Sequence, residues 1–177
     1  MATHTRTMSW IWPLASQAHG DDWEGLYTRE LPRVYNFFRY RVGDSALAED
    51  LTSATFEKAW RGRTKYRRDL AKFSTWLFAI ARNVAADHYR RPTLEVPLED
   101  VADHRSTEDP EGTAIQQSEF QRLRALLTAL PERERDLLSL KYGGGLTNRE
   151  IARVTGLSES NIGTIVHRAI GTLREQW

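Results

Sequence analysis

Residues 147–168 read TNREIARVTGLSESNIGTIVHR, and their spacing decides the fold class. Thr147 and Glu150 stand three apart ahead of an apolar run, the signature of a capping box that opens a short helix. Ile151, Ala152 and Val154 follow, and Ala152 is small enough for a second helix to cross closely. Gly156 falls at the turn, where a positive φ is needed. Ser158 caps the next helix, with Leu157 and Ile162 spaced to plug the core between the two. This is a helix-turn-helix pattern, in which the first turns of the second helix enter the major groove. Ser160, Asn161 and Thr164 are suited to base edges or phosphates, and His167 and Arg168 follow on the same side. The other reading of the same spacing is a helical hairpin that meets no DNA; the capping box with Ala, Gly and Leu in register favours the DNA reading.

Upstream, the pattern stays helical. Phe120, Leu123, Leu126, Leu127 and Leu130 recur at helical spacing. Pro131-Glu132 restarts a helix, with Pro in its first turn and acids there to suit the dipole. Leu137, Leu138 and Leu140 carry it to Gly143-Gly144-Gly145. Downstream, Val166, Ala169, Ile170 and Leu173 continue the last helix.

The stretch from Arg61 to Arg91 has a different chemistry. It carries nine Lys and Arg against two acids, with Tyr66, Phe73, Trp76, Phe78 and Tyr89 interleaved. Cations bind phosphates, and flat rings stack on unpaired bases or wedge into a base step. From Phe73 the stretch turns helical, with Phe73, Leu77, Ile80, Ala81 and Val84 on one apolar face. Trp76, Ala79, Asn83, Ala86 and Arg90 share another, partly polar face. Alone, the stretch reads either as a nucleic-acid surface or as an ordinary amphipathic helix after a solvated basic loop.

Ahead of it lie Trp23, Leu26, Tyr27, Leu31, Val34, Tyr35, Phe38 and Val42. Pro32 makes this a kinked helix or two pieces, and Gly43 ends it. Asp44 caps a helix running to about Trp60, with Ala48, Leu51, Thr55, Phe56 and Ala59 as its stripe and Glu49, Asp50 and Glu57 on its other side. Between the halves, residues 92–119 hold eight acids against one Arg105, and Pro92, Pro97, Pro110 and Gly112 break regular structure. That segment offsets the basic stretch, since the whole chain has a net charge of only +1. It reads as a solvated tether or as a nucleic-acid mimic lying in a basic channel.

The totals exclude several classes. There is no cysteine among the 177 residues, which rules out disulfides and zinc–thiolate sites and fits a cytoplasmic protein. Trp10, Ile11, Trp12 and Leu14 form too short an apolar run for a signal peptide or a membrane span. No metal-ligand spacing surrounds His4, His19, Asp21 and Asp22. Asp87-His88 and His167 lack an accompanying nucleophile, and adjacent helix residues do not face each other. The expectation is an all-α protein without metal, cofactor, small-molecule substrate or catalytic site, and without membrane insertion. Its units are a tail at 1–21, a helical bundle at 22–91, an acidic linker at 92–119 and a helix-turn-helix domain at 120–177. Trp10 and Trp12 read as a docking tag or as chance residues of a floppy tail.

Taken together, the two halves and their linker resemble the extracytoplasmic-function sigma factors of bacterial RNA polymerase, within the sigma-70 family. Asp50-Leu51-Thr52-Ser53-Ala54-Thr55-Phe56-Glu57-Lys58-Ala59-Trp60 resembles the family's core-polymerase-binding helix. Phe73 to Arg91 resembles its promoter-melting helix, and Leu130-Pro131 to Leu173 its second DNA-binding domain. The resemblance implies that the chain binds core RNA polymerase through Glu49, Asp50, Leu51, Phe56 and Trp60. It implies that Lys65, Arg67, Arg68, Lys72, Trp76, Asn83, Asp87, Arg90 and Arg91 meet the opened -10 DNA. It implies that Ser158, Ser160, Asn161, Thr164, His167 and Arg168 meet the -35 duplex, and that the chain has an anti-sigma factor as partner. Asn83 and the Lys65–Lys72 loop would line a pocket for an extruded base; the alternative for Asn83 is a tie to the backbone of that loop. Two departures stand out. Ser53-Ala54 replaces the family's usual Gln-Glu or Gln-Asp, and Gly163 and Ile165 lie where many members carry Lys or Arg. The competing reading is a one-component helix-turn-helix regulator that binds promoter DNA without joining polymerase.

Overall fold

The computed structural model describes residues 22–90 and 110–177; the expectations on the tail, on Arg91 and on 92–109 lie outside the described residues. Seven α-helices and no strand occur among them: α1 Trp23–Val42, α2 Ser45–Gly62, α3 Phe73–Arg90, α4 Pro110–Ala129, α5 Glu132–Leu138, α6 Asn148–Thr155 and α7 Glu159–Gln176. A 3-10 turn, Arg63–Lys65, follows α2, and a π-helical turn, Ser139–Gly143, extends α5.

Local chemistry sets most of the boundaries. The Asp22 carboxylate accepts from the Gly25 N–H at 2.9 Å and starts α1. Gly43 ends it at φ 73°, a conformation that costs glycine little, and Asp44 accepts from the Leu47 N–H at 2.7 Å to start α2 at once. Pro32 does not divide α1, which runs as one helix through it. In α2 the buried Thr52 and Thr55 hydroxyls donate to the Ala48 and Leu51 carbonyls, so neither is left unpaired. The second half begins earlier than its composition suggests. Helix α4 starts at Pro110, inside the stretch expected to be linker, because proline's missing N–H is no loss in a helix's first turn. Pro131 stands one place before α5, as its N-cap.

Both halves pack around one continuous core. Val34, Phe37 and Phe38 of α1, Leu77 and Phe78 of α3, Leu137 and Leu140 around the π-helical turn, Ile151 of α6 and Ile162 of α7 are all sealed from solvent. Helix α1 packs against α2 on one side and against the π-helical turn on the other, while α6 packs on α3. The meeting at the turn is a backbone contact: a Cβ built on Gly143 would lie 2.7 Å from the Asn36 carbonyl oxygen and 2.9 Å from Phe37 Cα.

Polar side chains bridge the same seam. The Asp136 carboxylate receives Arg82 of α3 at 2.9 Å and Arg41 of α1 at 3.5 Å, and Arg41 also reaches Glu132 at 2.7 Å. Arg82 donates to the Val154 carbonyl at 3.1 Å. Glu30 is 1% exposed, held by Arg29 and Arg33, and Arg33 donates onward to the Gly144 carbonyl at 2.9 Å. Burying a carboxylate is costly unless it is paired, and here the pairing also aims Arg33 across the seam.

Phe37 touches Phe38 and Phe78 edge-to-face at 4.9 and 5.8 Å. Phe37→Ala is expected to destabilise the chain by about 3–5 kcal/mol, as emptying a filled aromatic site does. Chemical denaturation with an unchanged midpoint would refute that.

Candidate nucleic-acid interface

The helix-turn-helix forms as its spacing predicts. The Thr147 hydroxyl accepts from the Glu150 N–H at 3.2 Å, and the Glu150 carboxylate accepts from the Thr147 N–H at 2.9 Å. Burial pushes the Glu150 carboxyl up, but the Thr147 N–H and hydroxyl with Lys72 outweigh it and hold the group below its ordinary range. Gly156 ends α6 at φ 76°, and the Ser158 hydroxyl accepts from the Asn161 N–H at 3.2 Å to begin α7. Ile162, Val166 and Ala169 face inward, so helical geometry turns Ser160, Asn161, Thr164, His167 and Arg168 outward, all exposed. Thr164 donates to the Ser160 carbonyl at 3.1 Å. With Ser158 also exposed, the whole expected reading set lies on one accessible edge.

The basic unit is organised by rings. Tyr66 lies 5.1 Å from Trp76 and 5.5 Å from Phe73, and Trp76 lies 5.6 Å from Phe73. Trp23 stands edge-on to Phe73 and to Trp60, and the Arg63 guanidinium stacks on the Trp60 ring at 3.8 Å. The Tyr66 hydroxyl donates to the Ala71 carbonyl at 3.2 Å and draws the basic loop closed. Trp76 is therefore half-buried in an aromatic cluster rather than a free-standing ring. Lys65, Arg67, Arg68 and Lys72 are exposed on the loop. Arg67 grips Asp69 with two hydrogen bonds, at 3.0 and 2.8 Å, and that pairing holds the Asp69 carboxyl below its usual range.

Along α3, Asn83, Asp87 and Arg90 share the outer face. Asn83 is exposed, and its amide makes no hydrogen bond to any described residue, the backbone of the preceding loop included. Asp87 is bridged by Lys58 of α2 at 3.0 Å and by Arg90 at 2.6 Å. The Lys58 contact, with the smaller effect of Arg90, holds its carboxyl below the ordinary range. Asp87 and Arg90 thus form part of an exposed ion-pair chain pinning α3 to α2.

On α2, Glu49 and Asp50 are adjacent and exposed, while Leu51 and Phe56 are each 7% exposed. Those two side chains point into the core, with Phe56 against Tyr27 at 4.7 Å, so they shape the helix and present little surface to a partner. Trp60 is half-buried beneath Arg63.

Sequence reasoning missed the residues that join the two halves: Arg33, Arg41, Phe78, Arg82 and Asp136. The available signal was a third stripe on α3. Phe78, Arg82 and Ala85 fall at i, i+4 and i+7, a face distinct from the two that were drawn, and the second half covers it. No helix among the described residues is long and apolar enough to cross a membrane, and no three His, Asp or Glu among them are grouped to hold a metal.

Comparison with known proteins agrees with this geometry. Residues 26–93 match the family model for sigma-70 region 2, and residues 120–173 match that for sigma-70 region 4. The chain is 35% identical over 162 residues to the ECF RNA polymerase sigma factor BldN of Streptomyces coelicolor, covering 90% of this chain and 61% of that one. It is 30% identical over 145 residues to the ECF RNA polymerase sigma factor SigM of Bacillus subtilis, covering 81% of this chain and 88% of that one. The chain thus spans somewhat less than two thirds of BldN's length. Its fold matches the sigma factor RpoE of Bartonella quintana, solved in complex with the anti-sigma factor NepR, with a TM-score of 0.68 at 23% identity over 88% of this chain and 96% of that one. The chain belongs to the extracytoplasmic-function sigma factors of the sigma-70 family, the subunits that direct bacterial RNA polymerase in transcription initiation.

Proposed function

We propose that this chain works in the cytoplasm as a promoter-specificity subunit with no catalytic step of its own. The outer face of α2 around Glu49 and Asp50 docks on core polymerase. The basic loop and the Asn83 face of α3 hold opened -10 DNA, and the edge of α7 reads the -35 duplex. One observation carries this reading: a single chain presents two separate surfaces suited to DNA, one built of cations and rings, the other of short polar side chains at a helix start. A one-component regulator needs only the second. An anti-sigma factor is the further partner that this reading implies, since a subunit able to redirect polymerase needs restraint. The family position of the chain and the complex of the RpoE neighbour with NepR support that partner.

Roles divide by chemistry. Lys65, Arg67, Arg68 and Lys72 neutralise phosphates without reading sequence. The Asn83 amide offers donors and an acceptor to the edge of an unpaired base. Asp87 and Arg90 act by fixing α3, given their pairing with Lys58. On α7, Asn161 is placed to read a base edge and Arg168 to hold a phosphate.

Three outcomes are expected. Asp50→Lys should abolish co-purification with core polymerase while the thermal transition stays in place; retained co-purification would remove α2 as the docking helix. Arg168→Ala should weaken binding to every duplex and lower its salt dependence by about one unit of slope, whereas Asn161→Ala should shift base preference. Duplex binding indifferent to both changes would show that α7 is docked wrongly. Asn83→Ala should cost roughly 1–3 kcal/mol of base discrimination in strand opening at an unchanged melting temperature. Permanganate footprinting of the opened strand reads this, and normal opening with unaltered preference would take Asn83 out of the site.

A further inference from the structure

We propose that Glu159 is a base-reading residue of α7 that selects a cytosine in the upstream duplex, and that Arg149 of α6 positions it. The inference deepens the reading of α7 as the helix that meets the -35 duplex and rests on that reading.

Between Ser158 and Arg168 the chain has a single acid, Glu159. A carboxylate beside a duplex is opposed by the phosphates, so it weakens binding to every sequence unless a base offers it a donor. As the first residue of α7, Glu159 stands in the turn that enters the major groove in a helix-turn-helix. It is exposed, and the exposed Ser160 and Asn161 follow it directly. Helical geometry puts Glu159 and Gly163, four residues apart, on one flank of the reading edge.

That flank meets the start of α6. Arg149 donates from Nε to Glu159 Oε1 at 3.4 Å, and a Cβ on Gly163 would find only the Asn148 amide, at 3.6 Å. The second distance is ordinary contact and the φ of Gly163 is not positive, so neither packing nor backbone calls for glycine there. The missing side chain keeps the flank open. A Lys or Arg at 163 would stand at i+4 from Glu159 and pair with it. With glycine, the carboxylate has Arg149 as its one cationic partner among the described residues, on a different helix.

This pair leaves two free ends. Glu159 Oε2 has no hydrogen-bond partner among the described residues, and the guanidinium has donors to spare. Both side chains are mostly exposed, and exposed pairs add little to stability. The sealed Ile151 and Ile162 hold α6 to α7 instead. What Arg149 sets is the direction of the carboxylate: one oxygen is fixed and the other is presented.

The chemistry of the major groove then names the base. Guanine shows two acceptors there, and thymine an acceptor and a methyl group, so both repel a carboxylate. Adenine offers its N6 donor but sets the N7 acceptor beside it. Cytosine offers its N4 amino group with no acceptor of its own alongside, and a carboxylate accepts from it. Glu159 thus discriminates by rejecting wrong sequences as well as by bonding the right one.

The test uses the full chain assembled with core RNA polymerase and a library of promoter duplexes randomised over the -35 element, with the bound fraction sequenced. The unsubstituted chain should enrich cytosine about ten-fold over the other bases at one position. Glu159→Gln should move that preference to adenine, whose N6 and N7 an amide matches, and leave the other positions as they were. Glu159→Ala should erase the preference and raise binding to sequences that lack the cytosine. Gly163→Lys should erase it as well, by pairing with the carboxylate. Arg149→Ala should weaken the preference without moving it to another base, and Arg149→Lys should restore part of it. The Glu159 and Arg149 variants should melt at the temperature of the unsubstituted chain. Cytosine still enriched in Glu159→Ala would overturn the inference, and a lowered melting temperature beside it would make the pair a structural tie. Selection at other positions with no cytosine preference in the unsubstituted chain would overturn this inference alone. Enrichment at no position in any form would defeat the reading of α7 as the -35 helix, and this inference with it.

Discussion

Helix α1 is buried from two sides, and the rest of the structure depends on that double burial. Val34, Phe37 and Phe38 are sealed completely, which a helix lying on the edge of a small bundle would not achieve. Apolar burial is worth about 25 cal/mol per Å², and each of these side chains gains in full only because α2 covers one flank and the π-helical turn the other. The same burial explains why Pro32 is tolerated mid-helix. Proline forfeits one backbone hydrogen bond, and tertiary packing on both sides of the helix offsets the loss.

A buried helix must also place its polar side chains, and α1 turns several of them into cross-links, with Arg39 Nε and Arg41 Nε and Nη1 left without a hydrogen-bond partner among the described residues. Glu30 is neutralised by Arg29 and Arg33, and Arg33 spends its remaining donors on carbonyls of the other half. Arg41, 5% exposed, meets Glu132 and Asp136 of α5. Arg39 stacks on the Phe120 ring of α4 at 3.9 Å. Each is a long cation whose stem packs with apolar neighbours while its head finds a partner across the seam. Pairs of this kind fix register more than they add stability, because desolvation offsets most of their attraction.

How much of this was legible in the sequence follows from range. Caps and turns are local, so Asp44, Gly43, the Thr147–Glu150 box, Gly156 and Ser158 were readable within four residues of one another. The α7 reading edge was legible for the same reason: once Ile162, Val166 and Ala169 are assigned inward, periodicity leaves Ser160, Asn161, Thr164 and Arg168 outside. Long-range contacts left no such trace. Phe78 looked like one more ring in a basic stretch because its neighbours Phe37 and Gly144 lie far away in sequence. Leu51 and Phe56 sit inside a motif whose resemblance suggested contact, yet their periodicity with Ala48, Thr55 and Ala59 already marked them as core. Gly143-Gly144-Gly145 read as a helix end, and only Gly145, at φ 65°, fits that reason for being glycine.

The chemistry of the seam bears on how readily it parts. Each half keeps its own capped helices, and those caps are made by groups within the same half. Each also keeps apolar side chains on elements that do not face the other half, such as Leu51, Phe56 and Ala59 of α2 and Val166 and Ala169 of α7. Parting the halves therefore breaks no helix. It uncovers Phe37, Phe78 and the glycine turn and returns Arg33, Arg41 and Arg82 to water, where a guanidinium is readily hydrated. The apolar area lost covers the faces of α1 and α3 together with Leu137, Leu140 and Ile151 of the other half, while the solvation of three cations and two carboxylates is recovered. The seam therefore combines a continuous apolar core with a close backbone approach and charged pairs, and the charged pairs fix the register in which the apolar faces meet.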